Sequence, residues 1–284
     1  MMDQDLFSVI VVVYCNQHYL PDSVRSVLQQ DYPAIELIVV DDGSEDFDTE
    51  SVHKLIESLR RDNLQAVDIL HNSENLGTVK SVNRALARAH GRYIKLLAAD
   101  DMLYDASVLQ NAKRVLDMSR DGLIASHVIG CSPSMKERGL FRDAFLKDIS
   151  TLDAWGQYKR FCTRNRVTAC GVFFRRDFFE RNGLIDEQYH LLEDWPTWLR
   201  VTRNGVRFEV GDFIGARYRE NVGSATGIVA SYLEDKERAF KTEIRPYRRQ
   251  IGWILYSRAW LTLRVRNAKL TRMVFGLIFL GKGR

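Results

Sequence analysis

Two adjacent aspartates, Asp100 and Asp101, follow the apolar run YIKLL. Paired carboxylates at a strand end make a hard-oxygen site suited to Mg2+ or Mn2+. These ions keep several waters and bind through one or two carboxylates plus substrate phosphates. The pair equally suits a solvated turn in which Asp101 caps the next helix. Asp41 and Asp42 close a second apolar run, IELIVV, just ahead of Gly43-Ser44. A carboxylate there can accept a hydrogen bond from a nucleobase N–H or a ribose hydroxyl, and DDGS is also ordinary tight-turn composition. Asn75, Gly77 and Lys80 enter a helical stretch, where backbone N–H groups and a lysine suit a diphosphate. Asn-x-Gly loops are common in their own right. Glu193 and Asp194 precede Trp195 and Trp198. That pattern fits a general base facing a sugar stacked on tryptophan, and it fits a helix N-cap followed by a core tryptophan pair. Neither GxGxxG nor GxxxxGK[ST] occurs, which counts against dinucleotide and P-loop sites.

These residues need strand ends to hold them, and the first 130 residues supply a strand–helix alternation. The runs 8–14, 35–40, 67–70 and 93–97 read as strands, the first a continuous β-branched run as expected for a strand buried on both faces. Between them, Val24, Val27 and Leu28, then Leu55, Ile56 and Leu59, then Val79, Val82, Leu86 and Ala89 recur at helical spacing. A further helix carries Val108, Leu109, Ala112, Val115 and Leu116, followed by LIASHVI. This order implies a mostly parallel sheet with helices on both faces, whose ligands bind at the carboxyl ends of the strands. Beyond it, 170–176 reads as a strand leading into a short helix, 191–205 as a helix, VRFEV and FIGARYR as two strands, and 230–242 as a surface helix. The polar stretch 132–150 shows no clear periodicity and is placed as an acceptor-side loop.

The chain has 284 residues, 45% of them hydrophobic, enough for a sizeable core. Its four cysteines form no CxxC pair, which disfavours a zinc site or disulfide framework and favours a reducing compartment. The opening MMDQDLFSVIVVVY is acidic where a signal peptide is basic, so export is not expected. The net charge of +4 is uneven: residues 241–284 hold eleven Lys or Arg and one acid, Glu243, while the other 240 residues sum to −6.

Taken in order, three segments resemble family 2 glycosyltransferases: SVIVVVYCNQHYLPDSVRSVLQQDYPAIELIVVDDGSED, NSENLGTVKSVNRALARAHGRYIKLLAADD and CGVFFRRDFFERNGLIDEQYHLLEDWPTWLRVTRNG. The resemblance implies an α/β GT-A fold over 1–225, with a nucleotide-binding half to about residue 130 and an acceptor half at 131–225, followed by a helical basic extension at 226–284. It implies inverting transfer of a sugar from a nucleotide-diphosphate sugar, UDP by family habit, to a saccharide or lipid-linked saccharide hydroxyl, with Mn2+ or Mg2+. Surface polysaccharide or glycolipid assembly is the setting it suggests. Carried over by motif, Asp194 is the catalytic base and Asp100 the metal ligand. Val12, Tyr14, Asp41, Asp42, Asn75, Lys80 and Asp101 fall on the nucleotide side, and Glu193, Trp195 and Trp198 on the acceptor side. The match departs at Ala98, where the first acid of an Asp-x-Asp motif is missing and Asp101 is placed to compensate. It departs again at Cys15, where asparagine is usual, and at Arg219-Glu220-Asn221, where a histidine is absent and Arg219 or Asn221 must substitute.

The tail mixes Arg and Lys with Trp253, Trp260, Tyr and Leu. It reads as a basic amphipathic helix on an anionic membrane surface, or as a helix packed on the domain or on a dimer partner. MVFGLIFL is too short to span a bilayer. A cytoplasmic protein, peripheral at the inner membrane face, is the expectation. An acidic body without a recognition motif argues against nucleic acid. The alternatives are a non-catalytic nucleotide-sugar or carbohydrate-binding module with a degenerate metal motif, and a nucleotidyltransferase. The latter is disfavoured because YCNQHYLPDS lacks the glycine-rich phosphate loop.

Overall fold

FSVIVVV offers no polar face, so it can only be satisfied between two layers. In the computed structural model it forms β1 (Phe7–Val13), with the side chains of Phe7, Val9, Val11 and Val13 packed on one face and Ile10 on the other. Each such fully buried aliphatic side chain contributes about 1.5–3 kcal/mol. The structure describes residues 5–220, 226–265 and 267, with 226–229 described by backbone alone. The expectations for Asn221 and for 268–284 lie outside these.

The chain continues through α1 (Leu20–Leu28), β2 (Ile35–Asp41), α2 (Thr49–Leu59), β3 (Leu64–His71), α3 (Thr78–Leu86) and β4 (Tyr93–Ala98). Pro21 lies in the first turn of α1, where its missing N–H costs nothing, and Asp48 caps α2 by accepting from the Glu50 and Ser51 N–H groups. Then follow β5 (Met102–Leu103), α4 (Val108–Met118), β6 (Leu123–Cys131), β7 (Glu137–Leu140), α5 (Asp143–Ser150), α6 (Ala154–Thr163), β8 (Val172–Arg175), α7 (Asp177–Asn182), α8 (Trp195–Arg203), β9 (Glu209–Arg219) and α9 (Thr226–Ala239). A π-helical turn (Phe240–Ile244) and short turns lead to a helix over 253–265.

One sheet carries the order β3-β2-β1-β4-β8-β6-β9-β5, with β7 hairpinned onto β6. β1 pairs in parallel with both β2 and β4, and β8 runs antiparallel between β4 and β6. The chain steps outward from β1 to β3 and then returns to β4 on the other side of β1. That reversal opens a crevice at the carboxyl ends of β1 and β4. Val12 stands opposite Ala98 in register, so both side chains face the same layer there.

The second half departs from the sequence reading in four places. VRFEV and FIGARYR are not two strands: Glu209–Arg219 is one continuous strand with register shifts against β6 around His127. The stretch 132–150 is not a loop, because it contains β7 and α5. The helix expected over 191–205 starts only at Trp195, with Asp194 as N-cap and residues 190–194 as a loop. The helix over 230–242 is not simply a surface helix: Asp235, Ala239 and Phe240 are buried.

Candidate functional site

Both acidic pairs stand beyond strand ends, and the two pairs differ in use. Asp41 is fully buried, with both oxygens committed. Its Oδ2 accepts from the Gly43 and Ser44 N–H groups at 2.9 Å and meets His71 Nδ1 at 2.9 Å, while its Oδ1 accepts from Ser44 Oγ at 2.6 Å. Asp41 therefore braces the turn from behind, and it does not line either cavity described below. Asp42 takes Asn72 Nδ2, the Leu76 N–H and Ser81 Oγ, all on Oδ1, which ties β2 to the loop ahead of α3. Oδ2 is left out of that network.

Asp100 and Asp101 are held beside β9. The Arg219 backbone N–H donates to Asp101 Oδ1 at 3.0 Å, and the Arg219 guanidinium donates to the Asp100 carbonyl, the Pro133 carbonyl and Asp22 while lying 4.4 Å over the Tyr19 ring. Its donors are thus spent on scaffold. Burial, then the charge of Asp100, pushes Asp101 up to about 8, and burial also raises Asp100. A half-buried and a fully buried carboxylate side by side, neither ion-paired through its side chain to a described residue, fit a divalent cation that uses one or two protein oxygens. Among the described residues no cluster of three or more His, Cys, Asp or Glu side chains forms a fuller cage.

Glu193 and Asp194 are fixed by a residue far away in sequence. Asp235, buried on α9, accepts from the backbone N–H groups of His190 (3.1 and 3.0 Å), Leu191 (2.6 Å) and Leu192 (3.0 Å). Asp194 Oδ1 caps the Trp195 N–H, and Asn165 Nδ2 donates to Oδ2 at 2.6 Å. Burial raises Asp194, while burial and the Asp194 charge push Glu193 up to about 8. Gly77, at φ +89°, ends the loop before α3 directly against His190, where a Cβ would fall 2.3 Å from the imidazole. Only glycine lets these two loops close on one another.

Two cavities meet at Asp194. The first, of about 330 Å³, lies over the ends of β1 and β4 and is lined by Val12, Tyr14, Thr78, Ala98, Asp101, Glu193 and Asp194 among others. The second, of about 200 Å³, lies between α6, α9 and helix 253–265, and includes Arg142, Asn165, Trp195 and Lys236. Asp194, Thr168 and Tyr218 belong to both.

Of the expected site residues, Val12, Tyr14, Asp101, Glu193 and Asp194 thus converge, and Trp195 joins them on the second cavity with its Nε1 donating to the Phe161 carbonyl at 2.8 Å. Trp198 does not. It is 2% exposed, stacks on Phe174, meets Phe208 edge to face, and donates to the Val167 carbonyl, so it is core. Asp100 lies next to the first cavity but does not line it. Asn75 and Lys80 are exposed and line neither cavity, Asn75 being used to accept from the Gly77 N–H at 3.1 Å. Asn165, Thr78, Thr168, Tyr218 and Asp235 were missed. An isolated Asn, Thr, Tyr or Asp between apolar residues carries no local pattern, and only the fold assembles them. Lys95 was missed too. Fully buried beneath the first cavity, it donates to the Cys170 and Val172 carbonyls and is pulled down to about 8 by burial.

The family model for glycosyl transferase family 2 matches residues 8–181. An uncharacterized glycosyltransferase of Haemophilus influenzae is 33% identical over 264 residues, covering 87% of this chain and 76% of that protein. A candidate teichuronic acid biosynthesis glycosyltransferase of Bacillus subtilis, TuaG, is 38% identical over 96 residues, 34% of this chain and 36% of that protein. For three further relatives the match spans 31–47% of their length. Among solved structures, S. aureus TarS 1–349 in complex with UDP-GlcNAc aligns with TM-score 0.61 at 19% identity, over 82% of this chain and 65% of that one. The mannosyltransferase PcManGT from Pyrobaculum calidifontis, in complex with GDP-Man and Mn2+, aligns with TM-score 0.61 at 17% identity, over 98% and 81%. The switch-point sheet is the GT-A fold, and the protein is a glycosyltransferase. Within that class, the chain belongs to glycosyl transferase family 2.

Proposed function

We propose that the chain transfers a sugar, with inversion at the anomeric carbon, from a nucleotide-diphosphate sugar in the larger cavity to an acceptor hydroxyl entering from the smaller one. The observation that carries this reading is the position of Asp194 in the wall common to both cavities. A carboxylate there reaches an acceptor oxygen on one side and faces the donor sugar on the other. Asp194 accepts the hydroxyl proton as that oxygen attacks, and such general-base help is worth about 10²–10⁴-fold. Asn165 and the Trp195 N–H hold the carboxylate in place. Val12, Tyr14 and Ala98 flank the nucleotide, Asp42 Oδ2 is left for its base, and Asn75 and Lys80, exposed and outside the cavity lining, meet the diphosphate only where it extends beyond the cavity. Asp100, with Asp101 behind it, would hold Mn2+ or Mg2+, which neutralises charge growing on the leaving diphosphate when bound. The two structural neighbours, one in complex with UDP-GlcNAc and the other with GDP-Man, support UDP or GDP sugars. The teichuronic acid relative supports a role in surface polysaccharide or glycolipid assembly.

The test is Asp194→Asn. Turnover should fall by about 10²–10⁴-fold with donor affinity within about twofold of the parent. Retention of most activity would remove Asp194 as the base.

A further inference from the structure

The smaller cavity holds more positive charge than a neutral sugar needs. Arg142, Arg164 and Lys236 line it, against a single carboxylate, Asp194. Arg142 occupies the left-handed region (φ +61°), a conformation disfavoured for a residue with a long side chain. Its guanidinium rests 4.3 Å over the Phe141 ring and makes no hydrogen bond or ion pair to any described residue. A guanidinium carries five donors. Other half-buried guanidinium groups among the described residues are spent, as Arg175 on Asp177 and Arg203 on Glu243. Arg164 is exposed just past the end of α6, and it also lines a neighbouring groove of about 730 Å³ with Lys159, Arg258 and one carboxylate, Asp148. The charge of Arg142 is felt at Asp194 and at Tyr218, two of the three residues shared with the donor-side cavity.

We infer that the acceptor carries an oxyanion, a phosphate or a carboxylate, which Arg142 grips with Arg164 at the cavity mouth while the neighbouring hydroxyl is presented to Asp194. The inference rests on the acceptor-side reading above and narrows the acceptor to an anionic saccharide or polyol phosphate. A planar guanidinium with free donors matches either oxyanion with two parallel hydrogen bonds.

The test is calorimetry on the full chain saturated with UDP and Mn2+, so that the donor site is filled. It is titrated at low salt with glucuronate or glycerol 3-phosphate and, as neutral counterparts, with glucose or glycerol. At least one anion should bind about tenfold tighter than its neutral counterpart, and Arg142→Gln should remove that preference. Arg164→Gln should weaken it less. Asp194→Asn should tighten the anion by a few-fold, because a like charge leaves the same cavity. Equal binding of anions and neutral compounds, or an unchanged preference in Arg142→Gln, overturns the proposal. So does a matching loss of UDP affinity in that variant, which would place Arg142 on the donor. Phosphatidylglycerol vesicles form the last arm: if Arg142→Gln releases vesicles yet leaves soluble anions bound, the cation serves the membrane and the proposal falls. None of these outcomes depends on turnover, so failure here and failure of the base assignment are separable.

Discussion

Asp194 and Glu193 are neighbours in sequence with opposite duties. Burial raises both carboxyls, the bonds from Asn165 and the Trp195 N–H favour the Asp194 carboxylate, and burial with the Asp194 charge pushes Glu193 up to about 8. The two titrate as a coupled pair. Because the folded state holds the Glu193 proton to a higher pH than the unfolded chain does, stability falls as pH rises from about 4.5 to about 8. Asp101 adds a loss of the same sign. Glu193→Gln should therefore flatten part of the fall in Tm between pH 5 and 9 and raise Tm at pH 9 by at least about 2 °C, as read by calorimetric scans. An unchanged slope would mean that Glu193 is ionised and solvated at neutral pH. At this scale the acidic pairs were legible from the residues ahead of them, since an apolar run that ends in Asp-Asp is a strand end. The uses of those acids were not. Asp41 reads in sequence either as a ligand or as part of a tight DDGS turn; its bond to Ser44, three residues on, is that turn, while its contact with His71 arises only when β2 and β3 pair.

Among the elements, α9 does the most that its sequence conceals. Residues 230–242 look like a charged surface helix, yet Asp235 turns inward and accepts from three consecutive N–H groups of the loop carrying the candidate base. A buried acid that neutralises backbone donors leaves no periodicity to read. Asp235→Ala leaves those donors unmatched and should cost about 2–3 kcal/mol. Asp235→Asn, which keeps one acceptor oxygen, should recover part of that loss. In both variants turnover should fall more than donor affinity, and denaturant melts beside steady-state kinetics would check this. A variant with parental stability and rate would show that the loop holds itself. The parallel half was legible because strands buried on both faces must be continuously apolar. The second half was misjoined at Gly211-Asp212, where the polar break that suggested two strands is a register shift in one.

At the scale of the molecule, helix 253–265 is apolar on two sides. Tyr256, Ala259 and Leu263 pack inward on the core that includes Phe240. Ile254, Leu261 and Val265 face out, 56–86% exposed, with Trp253 and Trp260 beside them. No helix of the described residues is long and apolar enough to cross a membrane. We propose that this outer stripe, with the basic residues around it, lies on an anionic bilayer near the acceptor-side cavity. The triple change Ile254→Ser, Leu261→Ser, Val265→Ser should abolish flotation with phosphatidylglycerol vesicles while shifting stability by less than about 1.5 kcal/mol in total. Flotation equal to the parent would assign the stripe to another contact. The central claim is that the cavity over β1 and β4 is where the activated sugar binds, and calorimetry tests it most directly. UDP, GDP and dTDP sugars would be titrated into the parent and Ala98→Phe, with and without Mn2+. One nucleotide class should bind in a metal-dependent way, adding about 2.7 kcal/mol of apparent stability at 100 times its Kd. Ala98→Phe, which fills the cavity floor, should lose that binding while remaining folded. Equal affinity in the two proteins, or no binding of any nucleotide sugar to folded parent, would contradict the claim.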